Sequence, residues 1–200
     1  MSKNNNIAGQ PDIWFTSDLH LGHKNIVRGL SRWKEGYRDF DTLEEYNQTI
    51  IDNVNNVVKQ GDVLYSLGDF SMGNDYDMVD YRKAINVRTI HHILGNHDKA
   101  LRKNKVLKNH HKGFINARNL FTSVDEYLEK KIHGTNFVLF HYPIASFHHG
   151  STGIHCHGHL HLNDTIFNPR GVNVCIDNHP EMRPFHIDEI KKIINERTKF

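Results

Sequence analysis

Long apolar runs are missing from this chain of 200 residues. Its longest apolar stretch, near Phe137–Phe140, falls far short of the roughly 20 residues that a membrane-spanning helix needs. The opening Met1-Ser2-Lys3-Asn4-Asn5-Asn6 is polar and has no apolar core of the kind a secretion signal carries. Nothing here addresses a membrane, and no protein partner is indicated. Cysteine is nearly absent: Cys156 and Cys175 form neither a disulfide framework nor a zinc-ligand spacing. Free thiols suit a reducing compartment, so the expected location is the cytoplasm. Excess charge is lacking as well, with 25 Lys and Arg against 23 Asp and Glu for a net +2, so the whole molecule does not attract nucleic acid. No repeat or low-complexity linker appears. The expectation is one domain over 1–200 with a polar extension at 1–11.

One local absence stands out. From Lys99 to Val124 there is no acidic residue, while Lys99, Arg102, Lys103, Lys105, Lys108, Lys112 and Arg118 are basic. Such a segment either flanks a cleft and attracts a polyanion or forms a solvated helix face.

What the chain has in abundance is histidine, 17 in all. Several fall in four short runs: Asp18-Leu19-His20, Gly68-Asp69, Gly95-Asn96-His97-Asp98 and Gly158-His159-Leu160-His161. His141-Tyr142-Pro143 lies between the last two. Splitting a phosphate ester at neutral pH needs a strong oxygen nucleophile and neutralisation of the phosphoryl oxygens. A pair of divalent cations about 3.5–4 Å apart supplies both, and these residue types are what would hold such a pair. Glycines before Asp69, Asn96 and His159 allow tight turns and close backbone approach.

Patterning puts the runs at strand ends. Ile13–Ser17, Val63–Leu67 and Thr89–Leu94 read as buried strands, each followed by one of the runs. Between the first two, Asp41 and Glu44 have the form of a capping box for a helix with Leu43, Tyr46, Ile50, Val54, Val57 and Val58 on one face, ending near Gln60-Gly61. The second half reads as short strands at Phe121–Leu128, Asn136–His141, Ile154–His157, Gly171–Ile176 and Pro184–Ile187, then a helix from about Asp188. That suggests a second, more antiparallel sheet. In open α/β sheets, ligands bind at the carboxyl ends of the strands.

These runs, in this order from Ile13 to about Ile190, resemble the calcineurin-like metallophosphoesterase superfamily. Phe40-Asp41-Thr42-Leu43-Glu44-Glu45 and Asn173-Val174-Cys175-Ile176-Asp177 further resemble its compact bacterial and bacteriophage members. The resemblance implies an α/β fold, two packed mixed sheets flanked by helices in an αββα sandwich. It implies one cation held by Asp18, His20 and His161, a second held by Asn96, His141 and His159, and Asp69 bridging them. Imidazole, carboxylate and carboxamide donors suit manganese first, with iron or zinc as alternatives. The implied nucleophile is a hydroxide shared by the cations. His97 is the implied general acid and faces substrate with Asn96, while Asp98 is expected to orient its ring and favour the imidazolium form. His23 is a further candidate phosphate contact. His148, His149, His155 and His157 read as polar rim or satisfied core residues.

The expected reaction is phosphodiester hydrolysis on a nucleotide, cyclic nucleotide or short nucleic acid, with phosphomonoester hydrolysis as the alternative. A scaffold of the same fold without catalysis is a reading from another class, and such a chain would be expected to lack ligands that are all present here. The run His155–His161 also invites comparison with metallo-β-lactamase-type hydrolases, but it comes late in the chain and no Asp-His pair follows it.

Overall fold

The computed structural model describes residues 10–28, 38–108, 113–162 and 165–199. Most of the polar extension and Lys112 lie outside the described residues. The elements in chain order are β1 (Ile13–Thr16), α1 (Leu43–Val57), β2 (Val63–Ser66), α2 (Asp75–Ala84), β3 (Thr89–Ile93), α3 (Lys99–Arg102), β4 (Val106–Lys108), β5 (Phe114–Asn116) and β6 (Ser123–Asp125). They continue with β7 (Tyr127–Ile132), β8 (Thr135–Phe140), β9 (Ile154–His157), β10 (Gly171–Asn173), β11 (Phe185–His186) and α4 (Ile187–Arg197). One sheet has the order β11-β1-β2-β3-β6, the other β10-β9-β8-β7, and β4 and β5 form a separate hairpin.

In the first sheet β1, β2, β3 and β6 run parallel, with β11 antiparallel at the edge. Inner parallel strands are covered on both faces, which is why Ile13–Phe15 of β1 and Val63–Tyr65 of β2 read as continuous apolar runs. Phe15, Tyr65, Leu67 and Ile93 pack toward the second sheet, where they meet Phe137, Leu139, Ile154 and Cys156. Leu64 and Ile90 belong to the other core, with Tyr46, Ile50 and Val54 of α1 and Met78 and Val79 of α2. Each fully buried Leu, Ile or Val contributes on the order of 1.5–3 kcal/mol. No helix among the described residues is long and apolar enough to cross a membrane.

Several local expectations change. The cap of α1 sits one residue later than expected: Thr42 Oγ1 accepts from Glu45 N, and the Glu45 carboxylate accepts from Asp41 N. The run Phe121–Leu128 is two strands, because after Asp125 the chain leaves the first sheet and enters the second at Tyr127. Alternation of side chains is the same in either sheet, so pattern alone cannot reveal the switch. The second sheet is also less antiparallel than expected, since only β7–β8 is; β8–β9 and β9–β10 are parallel. Strand β10 stops at Asn173, whose Oδ1 accepts from Cys175 N and turns the chain. The basic segment is not a helix face: α3 has four residues and leads into the β4–β5 hairpin.

Candidate metal centre

Five loops converge at one edge of the two sheets. Those after β1, β2 and β3 carry Asp18 and His20, Asp69, and Asn96 and His97; those after β8 and β9 carry His141, and His159 and His161. The carboxyl ends of parallel strands in both sheets therefore supply the site, as open α/β architecture favours. The structure brings together all seven residues expected to bind cations.

Donor atoms about 2.0–2.2 Å from a shared ion lie about 3–3.6 Å from one another. His20 Nε2 is 3.6 Å from both Asp18 Oδ1 and Asp69 Oδ2, and His161 Nε2 is 3.8 Å from Asp18 Oδ1. On the other side, Asn96 Oδ1 is 3.0 Å from His141 Nε2 and 3.1 Å from His159 Nδ1, and His141 Nε2 is 3.7 Å from Asp69 Oδ2. Asp69 Oδ2 is thus common to both groups.

Hydrogen bonding on the far side of the His141 and His161 rings fixes which of their nitrogens faces inward. His141 Nδ1 donates to Leu67 O at 2.7 Å, and His161 Nδ1 donates to Asp177 Oδ2 at 2.9 Å. With Nδ1 protonated, Nε2 of a neutral ring carries a lone pair. His141 Nε2 and Asn96 Oδ1 are then two acceptors 3.0 Å apart, which repel unless a cation lies between them. Asp18 Oδ1 and His20 Nε2 are buried with no hydrogen-bond partner among the described residues. Orphaned donors of this kind, aimed at common points, fit divalent cations. The donor set, without thiolate, suits manganese, iron or zinc.

The backbone is bent to serve this arrangement. Asp18, His20, Asp69, His159 and His161 all have positive φ, between 47° and 72°. Left-handed backbone at a non-glycine residue costs about 1–3 kcal/mol and persists where surrounding structure enforces it. The close approach expected at the motif glycines is present: a Cβ at Gly95 would collide with Asp69 Oδ1, and one at Gly158 with Ser17 Oγ.

Around the donors lies a supporting set. Asp18 Oδ2 accepts from His159 N at 2.9 Å and from the Cys175 thiol at 2.8 Å, which leaves Oδ1 facing inward. Burial would raise the Asp18 carboxyl, but the His20, His141 and His161 rings close beside it outweigh burial and hold it well below the usual range. Asp69 is pushed the other way, up to about 8, by burial and the nearby carboxylates Asp98 and Asp18. Arg38, fully enclosed, donates to both oxygens of Asp177 at 2.7 and 2.8 Å, to Asp18 O at 2.6 Å, and to the Tyr46 hydroxyl. Arg38–Asp177–His161 is therefore a relay of buried polar contacts ending on a donor ring.

Asp98 differs from expectation. Its carboxylate accepts from Asp69 N (2.8 Å), Phe70 N (3.2 Å) and Gly95 N (2.8 Å) and pairs with His92 Nε2 at 2.9 Å. Burial would raise it, but His92 and these backbone N–H groups hold it down to about 2. The ring it orients is His92, not His97, so it acts as a buried staple joining the Asp69 and Gly95 loops. His97 is anchored through its backbone N–H to Asp69 Oδ1 at 2.8 Å. Partial burial lowers its pKa, Lys99 and His141 add to this, and the charge of Asp98 only partly opposes it, so the imidazolium form is disfavoured.

His23 stands behind His20. The two Nδ1 atoms are 3.2 Å apart; with His20 Nε2 facing inward, His20 Nδ1 donates and His23 must carry its proton on Nε2. Burial and the charges of His20 and His97 lower His23 to about 4. His155 and His157 are buried and bonded to backbone carbonyls, and exposed His148 pairs with Glu129. Sequence reasoning assigned no role to Arg38, Tyr46, His92, Cys175 or Asp177. The only signal was for Cys175 and Asp177, which lie within a segment quoted for the resemblance.

Removing a hydrogen-bonded partner of a ligand imidazole typically costs 10–100-fold in metal affinity. Asp177→Asn is expected to weaken manganese binding by about that factor, measured by calorimetric titration on protein whose circular dichroism matches the parent. Unchanged affinity would limit Asp177 to a structural partner of Arg38.

Comparisons with known proteins identify the family. The family model described as calcineurin-like phosphoesterase matches residues 11–195. An uncharacterized protein of Methanocaldococcus jannaschii is 30% identical over 198 residues, covering 92% of each chain. The gene 66 protein of Mycobacterium phage D29 is 26% identical over 211 residues, 92% of this chain and 96% of that one. A solved structure, a protein of unknown function from Aquifex aeolicus, is similar in fold with a TM-score of 0.67 at 22% identity, covering 92% of this chain and 100% of that one. A family match over nearly the whole length, on a fold that gathers all seven expected donors, leads to one conclusion: the chain belongs to the calcineurin-like phosphoesterase family.

Proposed function

We propose that this metal-dependent phosphoesterase is a phosphodiesterase acting on nucleotides, cyclic nucleotides or short nucleic acid, with manganese as its preferred ion. The observation that carries the reading is the convergence of Asp18, His20, Asp69, Asn96, His141, His159 and His161 on two points joined by Asp69 Oδ2. Two divalent cations, when bound, supply charge that lowers the pKa of water and neutralises phosphoryl oxygens. The chain supplies the rest. Asn96 turns its carbonyl oxygen inward and keeps its NH₂ for a phosphoryl oxygen. His97, tied to Asp69 Oδ1, places a ring N–H at the oxygen of the departing alcohol. Asp98 keeps the two loops that carry these groups in register. Buried free thiols at Cys156 and Cys175 agree with a reducing compartment such as the cytoplasm.

Preference for diesters rests on charge and space. A monoester brings one more negative charge, and its phosphate product binds the same centre well and slows release. Hydrolysis of a nucleotide diester expels a sugar alkoxide, whose departure gains from a donor such as His97. Asn96 and His159 are exposed and His97 is only partly covered, leaving room for substituents on both sides of phosphorus. Bis-nitrophenyl phosphate is expected to show a higher kcat/KM than nitrophenyl phosphate at equal manganese and pH, with 2′,3′-cyclic nucleotides also cleaved. A tenfold advantage of the monoester would make the chain a phosphatase. No turnover with manganese, iron or zinc would favour the scaffold reading.

A further inference from the structure

Beside His97 the surface opens into a cavity of about 560 Å³, within the range of about 300–1,000 Å³ usual for small-molecule sites. Its wall has two chemistries. Met72, Met78 and Leu107 supply an apolar floor, and Lys99, Lys103 and Lys105, all exposed, supply positive charge at the rim. Ser71, also in the wall, has a buried hydroxyl with no hydrogen-bond partner among the described residues. Of the six described basic residues between Lys99 and Val124, these three line the cavity. Arg102 is taken by Glu126 and Gly95 O, Arg118 donates to Leu101 O, and Lys108 lies on β4 away from it.

We infer that this cavity is a subsite for a nucleotide unit on the His97 side of the scissile bond, and that it selects substrates bearing a second phosphate there. An apolar floor alone would reject a bare anion, and lysines alone would take any polyanion. Together they suit a base lying on methionine and leucine with its own phosphate at the lysines. The cavity adjoins the proposed donor to the leaving oxygen, so the unit bound there is the alcohol that departs. Lys99 directly follows Asp98, and that staple fixes its distance from the Asp69 loop. The inference rests on the phosphodiesterase reading and narrows it to nucleotidyl diesters with a further phosphate.

The test compares the thymidine dinucleotides d(TpT), d(pTpT) and d(TpTp) with manganese, following products by chromatography. One terminally phosphorylated dinucleotide is expected to exceed d(TpT) at least tenfold in kcat/KM at low salt. In Lys99→Gln/Lys103→Gln that ratio should fall to within twofold, and the ratio cancels any general loss of activity. Lys108→Gln should keep it. Equal rates for all three dinucleotides, or an advantage surviving the double substitution, would overturn the subsite. If bis-nitrophenyl phosphate is not hydrolysed either, the phosphodiesterase reading has failed, and binding still decides the subsite. Thymidine 3′,5′-bisphosphate titrated into the manganese-loaded protein should then bind at least tenfold less tightly to the double variant, and equal binding would sink the inference.

Discussion

Asp69→Asn is expected to fold, to lose turnover below detection and to bind both cations more weakly. Asp69 Oδ2 is the atom shared by the two donor groups, 3.6 Å from His20 Nε2 and 3.7 Å from His141 Nε2. A neutral carboxamide removes the negative charge and turns either its oxygen or its NH₂ toward those nitrogens. The ion-free protein should respond in the opposite sense. With the folded carboxyl pushed up to about 8 from an ordinary 3.8, ionising Asp69 opposes folding. Stability contributed by the protonated form is therefore complete below about pH 4 and is lost as pH rises toward 8. Asp69→Asn should remove this loss, giving an ion-free protein at pH 7 at least as heat-stable as the parent, yet one that gains less from added manganese. Two ions per chain by elemental analysis with near-normal turnover would refute the bridging role.

His97→Ala should retain both cations and lose on the order of 10²–10⁴-fold in rate on an unactivated diester, the range of a proton donor. Its backbone anchor to Asp69 survives the substitution. The loss should shrink for nitrophenyl esters, whose leaving group needs little protonation. Equal losses on both would instead assign His97 to charge stabilisation. Because burial and Lys99 disfavour its charged form, the proton-donating fraction falls as pH rises, so the alanine effect should be larger at pH 6 than at pH 8.

Much of this site was legible in the sequence. Strands β1 and β2 are largely covered on both faces, so each reads as an apolar run that ends abruptly before a polar ligand. The glycines beside Asp69 and His159 mark places where backbone passes too close to a donor for any side chain. What stayed hidden depends on contacts remote in sequence or on the direction of a single side chain. Arg38 meets Asp177 across 139 positions, and no periodicity links them. Asp98 adjoins His97 in sequence, yet the turn sends its carboxylate inward to His92 and three backbone N–H groups. The passage from β6 to β7 was invisible because an extended segment keeps its alternation when it changes sheets.

The division of donors between sheets has a consequence for durability. The first sheet contributes Asp18, His20, Asp69 and Asn96, the second His141, His159 and His161, so each expected ion draws on both. Bound cations would rivet the open edge of the sandwich shut, adding to the stacking of Phe15 on Phe137 between the sheets. Prying the sheets apart would then require breaking coordination bonds, and the loaded protein would resist proteases by unfolding slowly.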